Sequence, residues 1–155
     1  MQTSIRPEPP RQPEVEELLR LGDDFTRALY PAESCHLLDV AELERPGVTV
    51  FVGRDEGGSA LGMAALVAKH DGSAELKRMF VRPEARGRGL ASALLGAVES
   101  AAADAGVAVL RLETGPRQPA AIALYERRGY SPIPLFGEYI GDPNSICYEK
   151  ALTRR

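Results

Sequence analysis

Over residues 14–30 the apolar positions Val15, Leu18, Leu19, Phe25 and Leu29 recur at spacings of three, four and seven, the stripe of an amphipathic helix that Pro31 brings to an end. Asp39 can cap a short second helix over 39–44 before the Pro46-Gly47 break. The period then changes. Residues 48–52 are β-branched and apolar, 55–59 are turn-rich, and 60–68 form a second apolar run, so the pair reads as a hairpin. His70-Asp71-Gly72 turns the chain into a third strand over 74–81, which Pro83 stops. Over 88–105, Leu90, Leu94, Leu95, Val98, Ala101, Ala102 and Ala105 trace one helical face, closed by Gly106. A buried strand over 107–113, an Ala-rich helix over 119–128 ended by Gly129, and a last strand over 145–151 complete the pattern.

The order is therefore a helix, a β-meander, then β-α-β-α-β. A strand, a crossover helix and a further strand imply a parallel pair, so the sheet should be mixed in direction and covered by helices. Neither an internal repeat nor a domain boundary interrupts the chain. We expect one domain over 1–155, with the Pro-rich stretch 1–13 as a flexible or edge-strand start. At 155 residues, with 44% hydrophobic and 26% charged residues, the chain matches a globular domain built on one core.

No apolar run approaches the roughly 20 residues a membrane helix needs, and residues 1–13 lack the basic-then-apolar order of a leader. Cys35 and Cys147 have no second Cys or His at metal-site spacing and read as free thiols of a reducing compartment. The expected location is the cytoplasm, with no membrane partner.

A net charge of −3 disfavours a protein that grips nucleic acid through many phosphates. Locally the balance reverses. Lys77, Arg78, Arg82, Arg86 and Arg88 face Glu84 alone in the window 77–88. Such a cationic island suits one compact polyanion better than a nucleic-acid track, although a solvated basic loop has the same composition.

Residues 81–91, Val-Arg-Pro-Glu-Ala-Arg-Gly-Arg-Gly-Leu-Ala, run from a strand into the long helix. Gly87 and Gly89 leave backbone N–H groups open at a helix N-terminus, where the helix dipole favours an anion, and arginines can grip phosphate oxygens in pairs. A tight turn needs glycine for steric reasons too, so spacing has to decide. Gly87-Arg88-Gly89-Leu90-Ala91-Ser92 fits neither a P-loop nor a dinucleotide fingerprint.

What remains, Arg86-x-x-Gly89-x-Ala91, resembles the Gln/Arg-x-x-Gly-x-Gly/Ala signature of the GNAT superfamily of N-acetyltransferases, and the order of elements resembles that fold over nearly the whole chain. The resemblance implies an α/β domain (α+β by some schemes) with a mixed sheet of about six to seven strands and about four helices. It also implies acetyl-CoA as co-substrate. The pyrophosphate would rest on Arg86, Gly87, Arg88, Gly89, Leu90 and Ala91. The pantetheine arm would lie between two splayed strands and take backbone groups near Met79, Phe80 and Val81, as an added strand would.

Attack on a thioester needs a neutral amine, and an alkylamine of pKa about 10.4 is neutral in about one molecule in 2,500 at pH 7. Glu75 stands where several members of the superfamily carry a general base, although a strand carboxylate paired with Lys77 on the same face has the same appearance. Tyr125, in Ala121-Ile122-Ala123-Leu124-Tyr125-Glu126-Arg127-Arg128-Gly129-Tyr130, matches the stretch whose Tyr is the usual general acid toward the departing thiolate. A helix Tyr with its hydroxyl satisfied nearby is the structural alternative. Where the family often has Asn, seven positions before this Tyr, the chain has Gln118, which can still donate to a cofactor carbonyl. An oxyanion donor is expected from backbone N–H near Met79.

Direct attack implies a ternary complex, with Cys35 and Cys147 structural. The acceptor, a small-molecule or peptide amine, would be met by Tyr30, Glu33, His36, Phe136 and Tyr139. His36 and His70 have no metal or triad partner at recognisable spacing, so no metal is expected. The resemblance admits a homodimer. A non-catalytic acyl-CoA sensor of the same fold is the alternative, and the pairing of Glu75 with Tyr125 argues against it.

Overall fold

A computed structural model describes residues 2–152 of the chain. The stripe at 14–30 folds as α1 (Pro13–Leu29), with Pro13 at its first turn, where a missing N–H costs nothing. Asp39 caps α2 (Val40–Leu43) through a capping box, its carboxylate accepting from Glu42 N–H at 2.8 Å while Glu42 returns the bond at 3.1 Å. The apolar runs become β2 (Val48–Arg54), β3 (Ala60–Ala68) and β4 (Ser73–Val81), an antiparallel meander. Then come α3 (Leu90–Asp104), β5 (Val109–Thr114), α4 (Pro119–Arg127) and β7 (Ile146–Ala151).

Two strands lie outside the apolar pattern, and the first of them falls in the start 1–13, for which an edge strand is one of two expectations. The Pro-rich start contains β1 (Ser4–Pro7), an edge strand held on β2, and β6 (Ser131–Ile133) is a second short edge strand carrying Pro132. β5 and β7 also begin slightly later than the apolar pattern suggests. The sheet order is β1-β2-β3-β4-β5-β7-β6, and β4–β5 is its parallel pair. Arg54 fixes the N-terminal arm by bonding Glu8 at 2.8 Å and Glu14 at 2.9 Å.

Each face of the sheet carries a core. On one, Val15, Leu18, Leu19 and Leu43 of the first two helices pack on Val50, Val52, Met63 and Ala65. On the other, Leu90, Leu94, Leu95 and Val98 of α3, with Leu124 and Tyr125 of α4, pack on Ala64, Leu76, Leu110 and Leu112. Leu18, Leu94 and Leu95 are fully buried, each contributing about 1.5–3 kcal/mol.

One irregularity interrupts the meander. β4 pairs Lys77 with Ala65 and Phe80 with Met63, so Arg78 and Met79 together oppose Ala64 as a β-bulge. Arg78 takes a left-handed backbone at φ 58°, strained for any residue with a Cβ, and its guanidinium is held by Asp23 at 2.7 Å and the Leu19 carbonyl at 3.0 Å.

Candidate active site

β4 and β5 pair from Ser73–Val109 to Leu76–Leu112 and no further. Beyond Leu76 the bulge carries β4 away from its neighbour, and a cleft of about 650 Å³ opens between the two strands. It runs from the start of α3, past Met79, Phe80 and Val81, to a pocket beneath the connector that follows α1.

At the α3 end, Gly87 and Gly89 both sit at φ 79° with open space where a Cβ would stand, and no side chain caps the helix. The glycine-rich turn opens on the cleft, which Arg86, Gly87, Gly89, Leu90 and Ala91 all line. Arg88 is exposed on the same loop and does not line it. The arginines are less uniformly available than charge counting suggests. Arg86 folds back to donate to the Val81 carbonyl at 3.1 Å, its guanidinium over the Phe25 and Phe80 rings, and Arg82 is occupied by the Ala60 carbonyl at 2.7 Å and Glu17 at 3.2 Å.

Midway, Tyr125 of α4 lines the cleft, with its ring edge-on to Tyr130. Burial, and then the neighbouring Glu113 charge, raise its phenol above the ordinary value, so it is fully protonated at neutral pH. Gln118 also lines the cleft, but its carbonyl accepts from the Tyr30 hydroxyl at 3.3 Å, while that hydroxyl accepts from Arg117 N–H at 3.0 Å. Tyr30 thus joins the end of α1 to the β5–α4 loop. Gly115 makes this possible, because a Cβ there would overlap the Tyr30 hydroxyl and ring.

At the far end, His36, Lys77, Glu113 and Tyr139 surround the pocket. His36 meets Asp142 at 2.8 Å, Ser34 donates to the same carboxylate at 2.9 Å, and Asn144 donates to Ser34 at 3.1 Å. The hydrogen bond from His36 holds Asp142 below the usual carboxylate range. These contacts staple the connector after α1 to the loop before β7 and roof the pocket.

Of the acceptor residues expected from sequence, Tyr30, His36 and Tyr139 line the cleft; Glu33 and Phe136 do not. Glu33 is exposed to solvent, and Phe136 instead packs its ring against Tyr139 at 5.3 Å, behind the pocket wall. Glu75 is also displaced from the expected place. Its carboxylate is buried beneath Tyr139, accepts that residue's hydroxyl, and lies 3.4 Å from Lys69 and 3.7 Å from Lys77. It does not line the cleft.

The carboxylate that does line it is Glu113, near the end of β5. Burial pushes its carboxyl up to about 7, against the opposing effect of a 2.7 Å hydrogen bond from Ser145 and of the His36 and Lys77 charges. Sequence reasoning passed over Glu113 as the last residue of a strand. The signal that could have found it is its place at the carboxyl end of a parallel strand, where open α/β sheets form crevices.

Residues 14–130 match the Acetyltransferase (GNAT) family. The chain belongs to that family. Over 150 residues it is 41% identical to an IAA acetyltransferase of Azospirillum brasilense, covering 96% of this chain and 97% of that protein. The GNAT chain superposes with a TM-score of 0.87 on the crystal structure of a candidate acyl-CoA N-acyltransferase from Klebsiella pneumoniae, at 34% identity and covering 98% of this chain and 99% of that one. A PaiA N-acetyltransferase of Thermoplasma acidophilum, solved with coenzyme A, shares the fold at a TM-score of 0.75, with 18% identity over 97% of this chain and 99% of that one. This chain is an acyltransferase of the GNAT fold. Among the described residues no helix is long and apolar enough to cross a membrane.

Proposed function

We propose that the protein moves an acetyl group from acetyl-CoA directly to a primary amine of a small molecule or peptide within a ternary complex. The observation that carries this reading is the parting of β4 and β5, which joins an open glycine-rich helix start to a roofed polar pocket with Tyr125 between them. A linear amide-bearing arm can fill such a gap by bonding the unpaired strand groups of β4. The N–H groups around Gly87 and Gly89 would take the pyrophosphate, with Arg86 and Arg88 adding charge.

In this reading the thioester carbonyl stands beside the bulge, where backbone N–H near Met79 stabilises the oxyanion. The amine nitrogen forms the new C–N bond, the C–S bond breaks, and Tyr125 gives its hydroxyl proton to the CoA thiolate. The phenolate recovers a proton from the nitrogen, which must shed one to become an amide. Lys77 and His36 shape the acceptor end. Glu75, bonded to Tyr139 and near two lysines, positions Tyr139 and Lys77 as pocket walls.

The test is thiol release from acetyl-CoA across a panel of polyamines, amino acids, aminoglycosides and peptide N-termini. Release dependent on one amine class supports the reading. Silence across the panel, with acetyl-CoA still raising the melting temperature, favours a non-catalytic acyl-CoA sensor.

A further inference from the structure

We propose that Glu113, rather than Glu75, receives the proton of the acceptor amine. The inference rests on the acetyl-transfer reading above and assigns a step within it. Three observations carry it. Glu113 is the single carboxylate among the described residues that line the cleft. It sits one residue beyond the last β4–β5 pair, so β7 still pairs it at Cys147 while its β4 side opens on the cleft. Its influence reaches the phenols of Tyr125, Tyr30 and Tyr139, which come from three different elements around the pocket.

Glu75 does not line the cleft, is paired with Arg111 in the β4–β5 ladder, and acts on the phenol of Tyr139. Tyr139 covers it, and an incoming amine would first have to displace a hydroxyl already bonded to the carboxylate. Glu113, by contrast, keeps one anchoring bond, from the Ser145 hydroxyl to Oε2. That bond leaves Oε1 for an amine.

The other groups around Glu113 define its charge state. The Lys77 ammonium on β4 and His36 on the connector favour its ionised form, Asp142 on the opposite loop disfavours it, and the Cys147 thiol on β7 is itself raised partly by the Glu113 charge. Burial outweighs the Ser145 hydrogen bond and these neighbours, leaving a carboxyl that titrates near neutrality, where a general base works best.

The proton count closes. A bound alkylammonium gives its first proton to the Glu113 carboxylate and attacks as the neutral amine. The second proton leaves the nitrogen as the tetrahedral intermediate collapses and restores Tyr125, whose own proton has gone to the thiolate. Glu113 then releases its proton to solvent.

The experiment uses acetyl-CoA with two probes small enough for this cleft, methylamine and hydroxylamine. The second is largely neutral at pH 7 and needs no base. For wild type with methylamine, log kcat/KM should rise with unit slope to about pH 7 and then level, since above that pH the reactive pair is carboxylate plus ammonium. In Glu113→Gln the rate at pH 7.5 should fall about 100- to 1,000-fold. It should keep rising through pH 9 as the amine deprotonates itself. Hydroxylamine turnover should change by less than about fivefold, and Glu75→Gln should keep the break near neutrality. Formate should restore methylamine turnover to Glu113→Ala. Equal loss of both probes in Glu113→Gln, or a break that vanishes in Glu75→Gln instead, overturns the assignment. Acetyl-CoA binding without transfer to either probe in wild type overturns the transfer reading itself, which separates the two failures.

Discussion

The Tyr139 hydroxyl donates to the Glu75 carboxylate across 64 residues of sequence, and the Lys77 ammonium, 2.5 Å from the same hydroxyl, completes a buried triad. The contact fixes the loop before β7 on the middle of the sheet. Tyr139→Phe removes the one hydroxyl on a buried carboxylate, so unfolding free energy in urea should fall by about 1–3 kcal/mol. A loss below about 0.3 kcal/mol would show that the triad contributes nothing to the fold.

Tyr125→Phe keeps the ring packed against Tyr130 and removes the hydroxyl. We expect kcat to drop about 100- to 10,000-fold while the acetyl-CoA dissociation constant moves less than about threefold. Equal losses in both would remove Tyr125 from the acid role.

Gly115→Ala should be costly although the change is one methyl group. Its Cβ would overlap Tyr30, which must then leave Gln118 and the Arg117 N–H. Overpacking of this kind costs about 1–3 kcal/mol, and the double variant Gly115→Ala, Tyr30→Ala should recover much of the lost melting temperature.

Glu113 should show its poise in stability as well. Its folded value, about 7, lies above the ordinary 4.5, so folding is favoured by the protonated form. That contribution is whole below about pH 4.5 and is lost as pH rises through about 7. Glu113→Gln carries no charge to bury, so it should match wild type near pH 4.5 and be more stable above pH 7.5, by up to about 3 kcal/mol. Denaturant unfolding at the two pH values measures the difference.

Most of the frame was legible because it depends on local periodicity. The stripes of α1 and α3, the meander runs and the Gly87–Gly89 turn report their own structure. What was not legible depends on distant parts of the chain. Ser4–Pro7 and Ser131–Ile133 are too short and polar to show an alternation, and they become strands because β2 and β7 offer free edges. Alternation around Ala74 and Leu76 correctly sets Glu75 and Lys77 on the other face, but nothing local reveals that Tyr139 closes over them. Glu33 and Phe136 were placed by neighbourhood in the connectors, and neighbourhood does not fix which way a side chain turns.

Arg78 adds one residue to one side of a ladder, and that single count inverts the parity of β4: Lys77 and Phe80, three apart, share a face that regular pleating would deny them. Deleting Arg78 would let β3 and β4 run in step and take away the reason for β4 to bend from β5. The sheet would then be more regular and have no slot. The cleft of this chain therefore opens beside an arithmetical misfit between neighbouring strands, secured from outside by an aspartate and a carbonyl of α1.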